Sequence, residues 1–451
     1  MAFLCNTLAR VSFSLALLAA ACPPSAFAAN DWFLLSGSNT SQHATYPNVI
    51  GMAGIPGSRE KALTWTDASG YLWMYGGRGY AQSSTGPAYL SDFWKCDPAT
   101  KTWYWMGGST SLNATPLYPE KVGKPGVPGS RYDMTQWLDA SGDIWMFGGV
   151  GSASDGSGRL SDLWRLNPQT LQWYYMGGSK LKDSAGNYPS NYRETGQPPS
   201  RSGGAGGVTS TGEFLLFGGN IGNGAYTNDF WLYTPSEGTW TWIAGSNQSN
   251  QLGLYPSSTG QAGYPGARGG MACWTDQGGN LWIFGGHGYS NNIGLLNDVW
   301  KYQPANHAFY WVAGASTRQV NTVFPASHGD VGTLGCRNYS CFWNADNKFW
   351  VSGGYGTSTS QYGRFADLWS FSLADYKWRF IDGPKDSTTG SYPAPGGRGV
   401  PDGRMGGLTW TVGNRLYLMG GTLDGATPVS DFWMHHAAVN SSVNDWQLMS
   451  N

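Results

Sequence analysis

A glycine pair that ends a short apolar run occurs six times in this 451-residue chain, and this repeat constrains the fold more than any other feature. YLWMYGG, EFLLFGG and RLYLMGG are examples, and successive pairs lie 67 to 72 residues apart. Because single repeats of this size bury little core alone, six copies indicate a repeat architecture rather than the three domains that length suggests. The first glycines are Gly76, Gly148, Gly218, Gly285, Gly353 and Gly420.

Each glycine pair is preceded by another apolar run and a turn, as in LTWTDASGYLW, and followed by a polar loop and an Asp-x-Trp triplet. A further aromatic run follows the triplet. Short apolar runs separated by turn residues are typical of antiparallel strands, and the 67 glycines and 24 tryptophans suit such a structure. We therefore predict four strands per unit, named a, b, c and d in chain order. The triplet aspartates are Asp92, Asp162, Asp229, Asp298, Asp367 and Asp431.

Four-stranded units in series predict an all-β, six-bladed β-propeller. The Gly-Gly followed by spaced aromatic residues resembles the kelch-repeat family, and the NDFW…W…GGS variant is similar to secreted bacterial kelch proteins. This resemblance covers essentially the whole chain from residue 29 to 451 as one domain. The expected blades span approximately 59–109, 131–179, 201–246, 268–315, 337–384 and 404–451.

Two segments compete to complete the sixth blade. DWFLLSGS, at 31–38, matches a d strand that has no a, b or c strand before it. The C-terminal NDWQLM, around Trp446, is the alternative, but its spacing from Trp433 differs from that of the other repeats. We expect the N-terminal strand to close the ring, which leaves no free sheet edge between first and last blade.

Residues 1–28 have the features of a secretory signal peptide: Arg10, a short apolar run and the small-residue sequence AFA before Ala29. Lipid attachment at Cys22 is the alternative. The chain is therefore expected to be secreted, periplasmic or at the cell surface, with no transmembrane segment. With 27 basic and 28 acidic residues it has no basic excess for nucleic acid.

Four cysteines follow the predicted cleavage point. None has the spacing of a metal site, and no cofactor is expected. Cys336 and Cys341 are close enough in sequence to pair at a bulge or turn. Buried free thiols are the equal alternative. The four are Cys96, Cys273, Cys336 and Cys341.

The loop between strand d and the next strand a has nearly constant length. An aromatic-proline pair precedes an arginine by 12 positions in five repeats and by 11 in the sixth. Disordered linkers have no reason to keep their length, so an ordered loop is expected. The arginines have two alternative interpretations. They form a ring at the rim of the channel that binds an acidic ligand, or they form structural ion pairs with the triplet aspartates. They are Arg59, Arg131, Arg201, Arg268, Arg337 and Arg404.

Positions that differ between repeats are better indicators of specificity. Arg78 with Tyr80, and His287 with Tyr289, begin b-to-c loops and offer groups that stack on and hydrogen-bond sugars. Ordinary loop variation is the alternative. The sequence thus predicts a module that binds carbohydrate or a protein partner through the face carrying the long loops.

Enzymatic activity is the alternative function. Kelch propellers include galactose oxidase and a sialic-acid mutarotase, so the resemblance also implies sugar-modifying chemistry. No stretch reproduces the two histidines, two tyrosines and cysteine of the oxidase-type copper site. The sequence assigns no catalytic residue.

Overall fold

In the computed structural model, which describes residues 31–358, 361–386 and 389–437, the chain is all-β with antiparallel strand pairs. Six large sheets follow one another along the chain, and each corresponds to one sequence repeat. Within these ranges no helix is long and apolar enough to cross a membrane, and a 3-10 turn at Pro304–Asn306 is the sole helical element. The predicted signal peptide, Cys22 and the segment around Trp446 lie outside the described residues.

Each sheet contains five strands in the spatial order a, b, c, d and then a short outer strand, e, and sheet 1 has a sixth strand, Arg59–Glu60. The sheets are numbered in chain order, and the strands of each sheet are given in the order e, a, b, c, d. Sheet 1 comprises Ala53–Gly54, Leu63–Thr66, Leu72–Gly79, Ala88–Asp97 and Thr102–Ser109; sheet 2 comprises Lys124–Gly126, Thr135–Leu138, Ile144–Phe147, Leu163–Asn167 and Gln172–Gly177. Sheet 3 comprises Thr195–Gly196, Ala205–Val208, Phe214–Gly222, Ala225–Thr234 and Thr239–Ala244. Sheet 4 comprises Ala262–Gly263, Ala272–Thr275, Leu281–Phe284, Val299–Gln303 and Ala308–Ala313; sheet 5, Val331–Gly332, Cys341–Ala345, Lys348–Ser352, Leu368–Ser372 and Lys377–Asp382; sheet 6, Arg398–Gly399, Leu408–Val412, Arg415–Met419, Phe432–His436 and Trp32–Ser36.

Short strands also form between the start of a repeat and its b-to-c hairpin. In sheet 1, Arg59–Glu60 pairs with the end of strand b. Three separate small sheets have the same role: Arg131–Tyr132, Val150–Ala153 and Gly156–Arg159; Arg268–Gly269, His287–Tyr289 and Ile293–Leu295; and Arg337–Asn338, Tyr355–Thr357 and Tyr362–Arg364.

The e strand was not predicted, and it explains the constant loop length. Each d-to-a loop runs to the outer edge of the sheet that follows it and pairs there with strand d. In sheet 2, Lys124–Gly126 pairs with Gln172–Gly177, placing Gly126 opposite Trp173. An exposed d strand would present unpaired backbone groups, and the loop covers part of that edge. A loop with this task must span one fixed distance six times.

The N-terminal strand supplies strand d of sheet 6, as expected. Trp32–Ser36 pairs antiparallel with Phe432–His436, with Trp32 opposite His435 and Leu34 opposite Trp433. On its other side it pairs with the e strand Arg398–Gly399. Sheet 6 therefore combines the two ends of the described chain.

A closed ring of backbone hydrogen bonds joins the six sheets. Each member of the ring lies two positions after a repeated arginine. Its backbone N–H donates to the backbone carbonyl of the equivalent residue in the preceding sheet, with nitrogen–oxygen distances of 2.8–3.0 Å. The first member donates to the last, so the ring closes. Neighbouring a strands also contact one another around the same axis. The members of this axial ring are Lys61, Asp133, Gly203, Gly270, Tyr339 and Gly406.

The apolar core lies between neighbouring sheets. Between sheets 1 and 2, for example, Trp65, Trp73 and Phe93 pack in one buried cluster with Met146 and Trp173. The described cysteines are all free thiols, so the disulfide alternative for Cys336 and Cys341 is not realised.

Candidate functional site

Each repeated arginine is the centre of a buried polar cluster, best seen in sheet 2. Arg131 donates from both terminal nitrogens to Asp162, at 2.6 and 2.8 Å. The Tyr118 hydroxyl (2.8 Å) and the Trp164 indole (2.6 Å) donate to the same carboxylate. The ion pair is 0% exposed. Because a buried ion pair is stable only when its remaining polar atoms are satisfied, these four donors make the cluster a structural brace.

The arginine–aspartate ion pair recurs in every sheet, in line with the structural reading of the arginines. All six ion pairs have side chains at most 2% exposed and nitrogen–oxygen distances of 2.5–2.7 Å. The expectation of an accessible arginine ring at a channel rim does not fit these side chains, because they are buried and paired with aspartates. The pairs are Arg59–Asp92, Arg131–Asp162, Arg201–Asp229, Arg268–Asp298, Arg337–Asp367 and Arg404–Asp431.

Sheet 5 carries an incomplete brace. Its loop has Phe324 where the other five have tyrosine, so no phenol donates to Asp367. Arg337 reaches Asp367 Oδ2 at 2.6 Å from one nitrogen and donates from the other to the carbonyls of Cys336 and Thr357. Within the described residues, Asp367 Oδ1 and Arg337 Nε are buried without a hydrogen-bond partner.

Three side chains of the axial ring meet over the axis, and we name them the axial cluster: Lys61, Asp133 and Tyr339. Asp133 and Tyr339 belong to opposite sheets, 2 and 5, yet the Tyr339 hydroxyl donates to Asp133 at 2.8 Å. The tyrosine therefore crosses the ring. Lys61 Nζ lies 3.3 Å from the centre of the Tyr339 ring, in a cation–π contact.

Glycine at the other three ring positions makes this crossing possible. All six ring residues have positive φ, between 48° and 68°. A Cβ on Gly270 would lie 3.1 Å from the Tyr339 ring, and one on Gly203 would lie 3.1 Å from its hydroxyl. A Cβ on Gly406 would lie 2.9 Å from Lys61 Cγ. The same packing buries the Asp133 carboxyl, which raises its pKa, although Lys61 and the Tyr339 hydroxyl act in the opposite direction.

Arg78, predicted as a ligand-binding residue, lies beside the axial cluster. It forms an ion pair with Glu60 at 2.8 Å and donates to the carbonyl of Ala426 at 3.0 Å. Its predicted companion Tyr80 packs instead edge-on against His43, with ring centres 5.3 Å apart. Arg78 therefore contributes a partly exposed charge, whereas Tyr80 mainly holds the loop that precedes sheet 1.

His287 lies across the ring from Arg78, in sheet 4, so the two predicted groups do not converge. His287 Nδ1 is 3.0 Å from the Tyr226 hydroxyl of sheet 3. Burial lowers the pKa of His287. Tyr289, the second predicted residue here, is partly buried two positions further along the same strand.

Two arginines on the same face form no close ion pair among the described residues, although Arg159 is near enough to Asp133 to lower the pKa of that carboxyl. Arg159 in sheet 2 and Arg364 in sheet 5 occupy equivalent positions in the b-to-c hairpins, opposite Val150 and Tyr355. Among the described residues neither guanidinium has an ion pair, and the Nε of each is buried without a hydrogen-bond partner. Arg364 Cζ lies 5.7 Å from the ring centre of Tyr355. Unpaired cations beside tyrosine rings are groups that an anionic ligand can use.

The sequence reading missed the axial cluster and both unpaired arginines. A signal was present: two positions after the repeated arginine, three repeats have glycine and three have a charged or aromatic residue. In a repeat protein, such a mixture marks a position where side chains compete for one space.

Among the described residues, no group of three or more histidine, cysteine, aspartate or glutamate side chains could hold a metal ion. Comparison with models of known protein families gives no match, and no curated protein is similar in sequence.

Proposed function

We propose that this chain is an exported, six-bladed β-propeller of the kelch-repeat type that binds carbohydrate at the face carrying the axial cluster. The six sheets would be the blades, and the N-terminal strand would close the ring. Support comes from the order of the six sheets around the axial ring and from the pairing of Trp32–Ser36 with Phe432–His436. The signal-peptide pattern of residues 1–28 supports export.

The observation that carries the ligand proposal is that Arg159 and Arg364 form no ion pair among the described residues. With Lys61 and Arg78 they make four cationic groups on this face, where the carboxylates are those of Asp133, Glu60 and Asp183. Tyrosine rings accompany the cations, since Lys61 Nζ lies 5.6 Å from the ring centre of Tyr132, which stacks on Tyr89. Planar guanidinium groups suit carboxylates, and exposed aromatic faces suit sugar C–H groups. An acidic saccharide fits this combination better than a neutral one.

The test is binding of the mature protein to an array of acidic and neutral oligosaccharides. The double variant Arg159→Gln/Arg364→Gln should bind the acidic oligosaccharides at least tenfold more weakly than the unmodified protein does. Arg379→Gln is the matched control, since Arg379 is partly exposed on strand d of sheet 5 and pairs with Asp375. Unchanged affinity in the double variant would refute the proposal, as would binding to protein partners alone.

A second candidate function, a sugar-modifying enzyme, is supported by Asp133. A carboxyl with raised pKa beside a phenol and an ammonium group is the kind of arrangement that transfers protons. Proton NMR of N-acetylneuraminate would show accelerated anomer exchange if this chemistry occurs. Loss of the acceleration in Asp133→Asn would assign the residue, and no acceleration would reject the candidate.

A further inference from the structure

A cavity of about 630 Å³ runs along the axis between the six a strands. At one end it meets the axial ring, where Tyr339 crosses to Asp133 and Lys61 covers the tyrosine. At the other end it opens to solvent, because Leu138, which lines that end, is 50% exposed and Asn344 is exposed. The cavity is therefore a well with one entrance, on the face opposite the axial cluster.

The wall of the well is mostly polar on one side and mixed on the other. Sheets 6, 1 and 2 contribute hydroxyl and amide groups, from Thr409, Thr411, Thr64, Thr66 and Gln136. Sheets 4 and 5 contribute the apolar groups of Met271, Cys273 and Phe342 together with the polar side chains of Thr275 and Asn344.

The polar side retains unused hydrogen-bonding capacity. Gln136 is already held, since its amide nitrogen donates to the Thr64 carbonyl at 2.7 Å and its oxygen accepts from the Thr64 N–H at 3.1 Å. Thr66 donates to the Thr411 carbonyl at 3.1 Å. The hydroxyls of Thr64 and Thr409, in contrast, have no hydrogen-bond partner among the described residues. They are available to an occupant.

We propose that the well is a second binding site, for a neutral polyhydroxylated molecule of mono- or disaccharide size. A sugar ring has an apolar C–H face and a polar rim, and the well offers Phe342 to the first and threonine hydroxyls to the second. The volume lies within the range of small-molecule sites, about 300–1,000 Å³. Lys61 and Asp133, at the closed end, have opposite charges, so the well has no net charge that would favour an ion.

Cys273 provides a direct readout. It is the described cysteine that is not buried, and it lines the well, whereas Cys96, Cys336 and Cys341 are buried. Burial raises the pKa of the Cys273 thiol to about 11, so its alkylation is slow at neutral pH and is best followed at pH 9. An occupant of the well would shield this thiol from the reagent.

The experiment measures the rate of Cys273 alkylation by iodoacetamide, by mass spectrometry, with glucose, galactose, N-acetylglucosamine, maltose or sucrose present, and with glucuronate as the charged comparison. At least one neutral sugar should slow the reaction threefold or more in a saturable manner. The double variant Thr64→Val/Thr409→Val should lose this protection, whereas Thr64→Ser/Thr409→Ser should keep it. Thr239→Val, on the outer strand d of sheet 3, is the matched control for the loss of a hydroxyl.

Several results would overturn the proposal: no protection by any neutral sugar, protection by glucuronate alone, or equal protection in the valine variant. The serine variant keeps both hydroxyl groups, so it distinguishes loss of the hydroxyls from misfolding. If the serine variant folds but Cys273 is no longer protected, the proposal is also contradicted. Arg159→Gln/Arg364→Gln should leave the protection unchanged. The well and the axial face can therefore fail independently.

Discussion

Phe324→Tyr should stabilise the protein, because it supplies the donor that the sheet 5 brace lacks. The ring is already in place: Phe324 and Trp369 have centres 5.5 Å apart, close to the 5.4 Å between Tyr118 and Trp164 in sheet 2. A hydroxyl added at this position would be directed to Asp367 Oδ2, because the tyrosine hydroxyls of the other five sheets donate to that oxygen of their aspartates.

The expected gain follows from the value of a hydrogen bond to a charged group, about 1.5–3 kcal/mol net. Desolvation of the carboxylate is already part of the folded structure, so the new donor adds little further cost. Tyr118→Phe removes the equivalent bond in sheet 2, where Asp162 keeps its bonds from Arg131 and Trp164. We expect that variant to lose about 1.5 kcal/mol.

Urea unfolding followed by tryptophan fluorescence measures both changes. The midpoint should rise for Phe324→Tyr and fall for Tyr118→Phe, with the slope unchanged in each, so that the difference reflects stability rather than the surface exposed. If Phe324→Tyr is neutral or destabilising while Tyr118→Phe costs the expected amount, the reasoning is refuted, because the two sites would not be equivalent.

Three further outcomes follow from the structure. Gly270→Ala should cost about 1–3 kcal/mol in urea unfolding, because φ is +68° and the new methyl would overlap Asn338 Oδ1. Arg131→Met should cost about 3–5 kcal/mol, since it leaves Asp162 buried without a counter-ion, and adding Asp162→Asn should recover part of that loss. The folded state holds a proton on His287 less readily than the unfolded state, so stability should fall as pH drops through about 6.5; His287→Gln should flatten this loss in melts at pH 5 to 7.5.

The sequence predicted the sheets because the residues that specify them are local. A glycine pair ends strand b, and Asp-x-Trp begins the core of strand c, so the spacing alone locates each strand. The e strands could not be predicted from the sequence, because they are only two or three residues long and, as in Lys124–Gly126, include proline and glycine. Their position depends on the edge of strand d, which lies some fifty residues later in the chain.

The brace was predictable in part. Equal numbers of arginines and aspartates at fixed spacing indicated ion pairs, but the tyrosine and tryptophan donors depend on how the loop folds over strand c. The axial cluster was less accessible to sequence reasoning. Its members come from positions 61, 133 and 339, and only closure of the ring brings Tyr339 across to Asp133.

Sheet 6 is built from strands at both ends of the described chain, and this determines the order in which the sheets can fold. Trp32 and its partner His435 are about four hundred residues apart. The strand Trp32–Ser36 can therefore pair only after nearly all of the described chain has been synthesised. Contacts of such sequence separation carry a high loop-closure cost and form late. Sheets 1 to 5 are each contiguous in sequence and can form as the chain emerges. Ring closure is then the last and slowest step, and until it occurs both edges of the unfinished molecule are open to pairing with another chain.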